Sequence, residues 1–414
     1  MTFGSRCRED LRELFVTEDE MLERWKSQTH HFSWGSAIST TAAQCYPVEN
    51  CFTIDSFAKL YGSKGPANYM FARSTENALG NGPNILASVG CNRCGLLAQG
   101  TTVDRGYCVS GTENYASGNT DPVGWSSIGT GFYHVVGVKN DGSAWGWGDG
   151  VTNCALGGTL LQASIPTLIC SSWACCWKSA FAGDYATWFI DQGDNLYFIG
   201  KNTWGLGGVN SSSSVIGTFT LVGSGYKQVG GGCEFAVFLK TDGTLWTAGD
   251  NCAGKLGVGN ANTGGVSNYR VSSPIQITSP NKHWKCIDVS TQQAVALASD
   301  GELWFWGMNN NCNSGVPGLT SGTGVGASCP VLIGTNFRRV SIGPLGGVGV
   351  RTDGTLYTWG SQTSTNPILG RGTTVTCTYA GPCNFAGYWG SGVVDVLMTC
   401  GRVAITTECN FGVN

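Results

Sequence analysis

Short apolar runs separated by polar, glycine-bearing turns recur along the chain. The segment around Lys240 shows the pattern: Ala236-Val237-Phe238-Leu239, then Lys240-Thr241-Asp242-Gly243, then Leu245-Trp246-Thr247-Ala248 and Gly249. Two short apolar strands flank an Asp-Gly pair, a strong hairpin signal because such a turn needs positive φ. The tail that follows, Asp250 to Gly259, is laced with glycine. It is either a phosphate-cradling loop or scaffolding.

The same pattern returns. VVGVKNDGSAWGWG ends at Gly148, TWFIDQGDNLYFIG at Gly200, AVFLKTDGTLWTAG at Gly249, AVALASDGELWFWG at Gly307 and GVGVRTDGTLYTWG at Gly360. Four copies hold Asp-Gly at one distance from the final glycine: Asp141-Gly142, Asp242-Gly243, Asp300-Gly301 and Asp353-Gly354. The other copy has the order swapped, Gly193-Asp194, and a weaker copy, LLAQGTTVDRGYCVSG, is read as ending at Gly111. A period of about fifty residues built from short strands predicts a propeller or a related array. Upstream of each hairpin lies another short strand, such as Lys227-Gln228-Val229 or Arg339-Val340-Ser341-Ile342. With one more strand from the connection, each copy makes a four-stranded blade.

The two ends supply halves of one further copy. Val393 to Asn410 reads as the first half of a repeat and stops where the turn should be. His31-Phe32-Ser33-Trp34-Gly35 reads as the second half. Joined, with Phe32, Trp34 and Gly35 against Val403 and Ile405, they predict a seventh blade that clasps the ring and removes the open sheet edge. The organisation expected is a helical extension over residues 1–29 and an all-β seven-bladed propeller over 30–414. In the extension, Thr17-Glu18-Asp19-Glu20 is a capping box that opens a short helix through Trp25. Leu11, Leu14, Phe15 and Trp25 are its candidate partner contacts.

Taken together, these motifs resemble the RCC1-repeat family, seven-bladed propellers named after the regulator of chromosome condensation. The resemblance rests on Asp242-Gly243, Leu245-Trp246 and Gly249, then Asn251, Gly254, Leu256-Gly257 and Gly259. The other copies match through the final glycine and then diverge. Family members include a guanine-nucleotide exchange factor for a small GTPase, enzyme inhibitors and plain interaction modules. The chain lacks the basic termini of the chromatin-binding members, and no catalytic or partner-binding residue is carried over.

Composition fits many turns between aromatic-rich strands: 63 of 414 residues are Gly, aromatics reach 11%, and only 12% are charged. With a net charge of −3 and no basic run, nucleic-acid binding is not expected. No apolar run is long enough for a membrane helix, and the N-terminus lacks the apolar core of a signal peptide. The expected location is a cytoplasm, or a virion if the protein is viral.

Candidate chemistry is sparse. One Asp per blade in the same turn reads as a turn-satisfying carboxylate rather than an acid or a metal ligand. No Lys-Ser/Thr follows Gly254-x-x-Gly257-x-Gly259, so a phosphate loop is not expected. His134 aligns with Phe235, Gln293 and Gly346 and reads as a hydrogen-bonding blade residue. Cys91-Asn92-Arg93-Cys94 is a lone CxxC. Neither cofactor nor metal is expected, and no nucleophile motif stands out. The 19 cysteines are many for a reducing compartment. Pairs within one connection are candidate disulfides: Cys45 with Cys51, Cys154 with Cys170, Cys312 with Cys329, and Cys377 with Cys383.

Three functions fit these readings. The first is a non-enzymatic structural or interaction propeller that contacts other proteins of a larger assembly through its N-terminal helix and inter-blade loops. A phage or other virus particle, at its tail, baseplate or capsid, suits the low charge and cysteine-rich loops. The second is a host-receptor or glycan-binding module that uses loop aromatics such as Trp125, Trp173, Trp204, Tyr269, Tyr379, Tyr388 and Trp389. The third is guanine-nucleotide exchange on a small GTPase.

Overall fold

The computed structural model describes residues 31–36, 44–45, 57–64, 69–74, 86–103, 105–110, 124–150, 155–157, 162–170, 176–259, 269–319, 321–322, 325–361, 378–382, 393–398 and 402–407. The proposed helix over 1–29, with Leu11, Leu14, Phe15 and Trp25, lies outside them, as do Cys51, Cys154, Cys377 and Cys383.

The described strands form seven four-stranded antiparallel sheets. Two strands open the chain, β1 (His31–Ser36) and β2 (Gln44–Cys45). Blade 1 follows with β3 (Phe57–Gly62), β4 (Tyr69–Ser74), β5 (Leu86–Gly90) and β6 (Arg105–Ser110). Blade 2 holds β7 (Trp125–Thr130), β8 (His134–Lys139), β9 (Ala144–Asp149) and β10 (Gln162–Cys170). Blade 3 holds β11 (Trp177–Ala182), β12 (Ala186–Asp191), β13 (Leu196–Lys201) and β14 (Val215–Gly223). Blade 4 holds β15 (Tyr226–Gly231), β16 (Phe235–Lys240), β17 (Leu245–Asp250) and β18 (Arg270–Gln276). Blade 5 holds β19 (Trp284–Val289), β20 (Gln293–Ala298), β21 (Leu303–Met308) and β22 (Gly326–Gly334). Blade 6 holds β23 (Phe337–Gly343), β24 (Gly346–Arg351), β25 (Leu356–Gly360) and β26 (Thr378–Pro382). The chain closes with β27 (Val393–Met398) and β28 (Arg402–Thr407).

The first strand of each blade contacts the first strand of the next, and β27 contacts β3, so the array is circular. The closing sheet runs β2-β1-β28-β27 and combines both ends of the chain. Within it Phe32 pairs with Thr406, Trp34 with Ala404, Gly35 with Val403 and Ser33 with Ile405.

The core lies between blades. Phe235, Val237 and Leu239 of β16 pack on Trp284, Ile287, Val289 and Ala296 of blade 5. Ala236 and Phe238, on the other face of the same strand, pack on Trp188, Ile190 and Phe198 of blade 3. A strand buried on both faces reads as a continuous apolar run rather than an alternating one, which is the pattern of the sequence at Phe235–Leu239.

The Asp-Gly pairs close the hairpins with the positive φ expected of them. Positive φ falls on the glycine alone (80° at Gly243), and no preceding Asp is left-handed. The Gly243 amide donates to Lys240 O and the Lys240 amide to Thr244 O. This is a type I turn closed by a left-handed glycine rather than a two-residue primed turn. The Asp carboxylate accepts the amide two residues on: Asp141 from Ser143, Asp242 from Thr244, Asp300 from Glu302 and Asp353 from Thr355. Blade 3 explains its swapped order. Asp194 takes the left-handed position (φ 61°) and Asp191 supplies the capping carboxylate, accepting from the Gly193 and Asn195 amides.

The weak copy is corrected. The third strand of blade 1 is β5, and its final glycine is Gly90 (φ 115°), matching Gly249 (φ 111°) and Gly360 (φ 123°). The residues that end at Gly111 include β6, the outer strand. The connection between β4 and β5 is longer and has no Asp-Gly, so the motif gave no register there.

Two disulfide expectations are also corrected. Cys329 is an exposed free thiol, while Cys312 is in a disulfide whose partner is not among the described side chains. The Cys312–Cys329 staple is therefore not formed. Cys170 carries a thiol, so neither is Cys154–Cys170. Cys45 ends β2 and pairs through its backbone with Gly35.

Candidate interaction face

The glycine tail after the third strand of blades 1, 3, 4 and 5 builds a repeated knuckle. A buried Asn opens it, and its side-chain oxygen accepts the backbone amide five residues on: Asn92 from Leu97, Asn202 from Gly207, Asn251 from Leu256 and Asn309 from Ser314. The tail of blade 4 is therefore not particular to that blade. The repeat Asn-x-x-Gly was present at Asn92, Asn202 and Asn251, but the divergent residues around it hid it.

Each knuckle presses on the next blade. The Gly254 amide bonds Asn251 O, φ is +78°, and a Cβ there would fall 2.5 Å from Ser328 Cα on β22. Farther along, the Gly259 amide donates to Ser328 O. Two indole N–H groups complete such contacts, from Trp147 to Leu96 O and from Trp306 to Lys255 O. These glycines serve close packing between blades, so the phosphate-loop alternative is answered in favour of scaffolding.

The hairpin turns do the same at the opposite end of the blades. The Gly142, Asp194, Gly243 and Gly301 carbonyls accept the amides of Trp177, Tyr226, Trp284 and Phe337, the first residues of the following blades. A shallow groove of about 310 Å³ lies beside one of them, lined by Thr244, Gln276, Asn281 and Lys282 among others. Lys282 is held 2.8 Å from both Asp300 and Glu302.

With repeated residues assigned to scaffolding, the unrepeated ones gather on the other face. They lie in the turns between first and second strands of blades 2 to 4. Phe132 and Tyr133 sit in the turn after β7, Asp184 and Tyr185 in the turn after β11, and Cys233 and Glu234 in the turn after β15. Phe132 and Tyr185 meet edge to face at 5.7 Å, and Tyr133 and Tyr185 at 6.0 Å. Lys201 Nζ lies 4.9 Å over the Tyr185 ring. Lys255 is buried and joins Glu234 at 3.2 Å and Asp250 at 3.0 Å.

Titration in this cluster follows burial. Asp184 is buried and its Oδ2 has no hydrogen-bond partner. Burial raises its carboxyl well above the usual range, against the opposing pull of the Cys233 thiol and Lys201. The Cys233 thiol is pushed up to about 11 by burial, with Asp184 and Glu234 adding to it. At neutral pH it is a protonated thiol, unsuited to nucleophilic attack. Burial works against the charge on Lys255, but Asp250 and Glu234 outweigh it and raise its pKa.

His134 opens β8 and is fully buried. Its Nε2 stands 2.9 Å from Thr187 Oγ1, and that hydroxyl donates to Ala155 O. The Thr187 oxygen is thus the acceptor and the imidazole is neutral with its proton on Nε2. Burial lowers its pKa to about 4. Tyr69 and Gln293 occupy the same place in blades 1 and 5 and also bond the next blade, through Gly131 O and Gly343 O. His134 is thus an inter-blade hydrogen-bonding residue.

Of the aromatics proposed for contact, Trp125 is buried at the start of β7. Trp204 is half-buried, with the Arg270 guanidinium 3.1 Å over its ring. Tyr269 is exposed. Trp173, Tyr388 and Trp389 lie outside the described residues. The face at Phe132, Tyr133 and Tyr185 was missed because its residues share no motif and come from two repeats. No group of three or more His, Cys, Asp or Glu that could hold a metal occurs among the described residues. No helix among the described residues is long and apolar enough to cross a membrane.

No family model matches the chain. The X-linked retinitis pigmentosa GTPase regulator of dog is 28% identical over 142 residues, 34% of this chain and 14% of that protein. The ultraviolet-B receptor UVR8 of Arabidopsis thaliana is 27% identical over 202 residues, 46% of this chain and 42% of the receptor. The human E3 ubiquitin-protein ligase HERC2 is 25% identical over 253 residues, 60% of this chain and 5% of the ligase. The chain thus spans less than half the length of each of these relatives. Among solved structures, Prp20p of Saccharomyces cerevisiae superposes with a TM-score of 0.73 at 16% identity, covering 92% of both chains. Human WBSCR16 superposes with a TM-score of 0.68 at 13% identity, covering 92% of this chain and 98% of that one. The fold is an RCC1-like β-propeller.

Proposed function

We propose that this chain is a non-enzymatic protein-interaction propeller, and that the face built from the first turns of blades 2 to 4 receives a partner protein. The observation that carries this reading is the pair Tyr133 and Tyr185, half-exposed and packed over buried Phe132, with Lys201 beside Tyr185 and Glu234 in the neighbouring turn. Aromatic groups ringed by charged ones are the common composition of protein-binding hot spots. The repeated Asp, Gly and Asn residues are engaged in holding blades, which leaves unrepeated turns to define a partner. Yeast Prp20p is a propeller with binding properties to Gsp1p and histones, and Kap60 is bound to yeast RCC1 in another structure. A place in a larger assembly, such as a virus particle, is the setting favoured by the low charge and the cysteine content.

The test is cross-linking of the full chain in its native assembly, followed by mass spectrometry. Cross-links should concentrate on Lys201 and the turns of blades 2 to 4, and Tyr133→Ala with Tyr185→Ala should remove them while Lys178→Ala on the hairpin face does not. An unchanged partner set in the double variant would refute the reading. Nucleotide-release acceleration on a small GTPase would replace it with the exchange-factor function.

A further inference from the structure

Lys64 follows β3 on blade 1, yet its ammonium group is spent on residues far along the chain. Nζ lies 2.8 Å from Asp288 Oδ2, 2.7 Å from Ser341 Oγ and 3.0 Å from Met398 O. These acceptors stand on β19, β23 and β27, the first strands of blade 5, blade 6 and the closing sheet. All three N–H donors of the ammonium are used. The acceptors are themselves linked. Ser341 Oγ donates to Asp288 Oδ2 at 2.8 Å, the Ile342 amide donates to the same oxygen at 2.7 Å, and the Met398 amide donates to Ser341 Oγ at 3.0 Å. Ser341 thus donates once and accepts twice, the full use of a hydroxyl. The Lys64 and Asp288 side chains are 16% and 23% exposed.

We propose that the ring has a second closure at its inner rim, a bolt centred on Lys64, which acts independently of the strand clasp formed by the chain ends. The clasp joins β1 to β28 within the closing sheet. The bolt joins blade 1 directly to β27 and to the two blades before it. Among the described residues, its contacts come from β19, β23 and β27 and not from β1 or β2. A charged pair with every donor and acceptor used is costly to break singly, because the remaining charge is left unpaired. Fraying of the outer strands of the closing sheet therefore leaves the inner rim shut.

Hydrogen exchange of the full chain separates the two closures. In Lys64→Met, the Met398 and Ile342 amides should exchange at least ~10-fold faster, while amides of β1 and β28 keep their protection. In Ser33→Pro, which breaks the β1 ladder, the β1 and β28 amides should exchange faster while Met398 and Ile342 stay protected. Should Lys64→Met not fold, Asp288→Asn keeps the lysine and removes its charged partner, and should release the same two amides. The proposal is overturned if Lys64→Met or Asp288→Asn changes exchange only at its own site, the residues after β3 or strand β19. It is equally overturned if Ser33→Pro releases Met398 and Ile342 as much as it releases the clasp.

Discussion

His134 Nε2 lies 2.9 Å from Thr187 Oγ1, across the boundary between blades 2 and 3. The contact holds an uncharged imidazole where no water reaches it, and this makes the fold sensitive to acid. The folded pKa is about 4, below the ordinary 6.5. Between these values the unfolded chain binds a proton that the folded chain does not. Stability from this group is therefore complete above pH 6.5 and falls as pH drops toward 4. The loss is about 3 kcal/mol. Denaturant melts of the wild type and His134→Gln across this window check it. Gln293 occupies the same position in blade 5 and bonds the next blade, so the glutamine variant should fold and show a flatter pH dependence.

Gly254 combines a left-handed φ of +78° with a Cβ position 2.5 Å from Ser328 Cα. Gly254→Ala should cost about 3 kcal/mol, from backbone strain and the displaced β22 strand. Gly217, on an exposed stretch of β14, meets nothing within 4 Å. Gly217→Ala should leave the midpoint almost unchanged. Chemical denaturation of the two variants side by side checks the contrast.

Lys255 neutralises Asp250, which is itself buried. Lys255→Met should destabilise by about 3 kcal/mol, because it leaves a carboxylate without its cation. Adding Asp250→Asn should recover part of that loss. A double-mutant cycle read by thermal melting checks the sign of the coupling. The pair should support the fold through neutral pH, because the raised lysine pKa is lost only in strong alkali.

The thiols should separate by reactivity. Cys176 and Cys329 are exposed, whereas Cys233 is held up to about 11 and Cys286 is also raised, both by burial. Maleimide at neutral pH should label Cys176 and Cys329 well before Cys233 and Cys286. Peptide mapping by mass spectrometry gives the order. Recovery of a Cys312–Cys329 disulfide peptide from the native protein would contradict the arrangement seen here.

The sequence by itself determined the repeated unit, because a hairpin is a local event. Asp242-Gly243 between two apolar runs defines a turn from neighbouring residues alone, and its copies at Asp141, Asp300 and Asp353 define the array. The pairing of His31–Ser36 with Arg402–Thr407 was also legible, since half-repeats at the two ends have no other complement. Blade 1 was misplaced because its hairpin lacks the Asp-Gly that set the register elsewhere. The tertiary structure alone decided what joins one blade to the next. The Gly254–Ser328 approach and the His134–Thr187 bond each depend on residues brought together from different repeats. So do the Lys64 contacts to Asp288, Ser341 and Met398. The proposed interaction face has the same origin: Phe132, Tyr133 and Tyr185 follow no shared motif and become one patch only when blades 2 and 3 pack side by side. Local propensity encodes the hairpin, while the sites between blades arise from packing, for which no single repeat carries a signature.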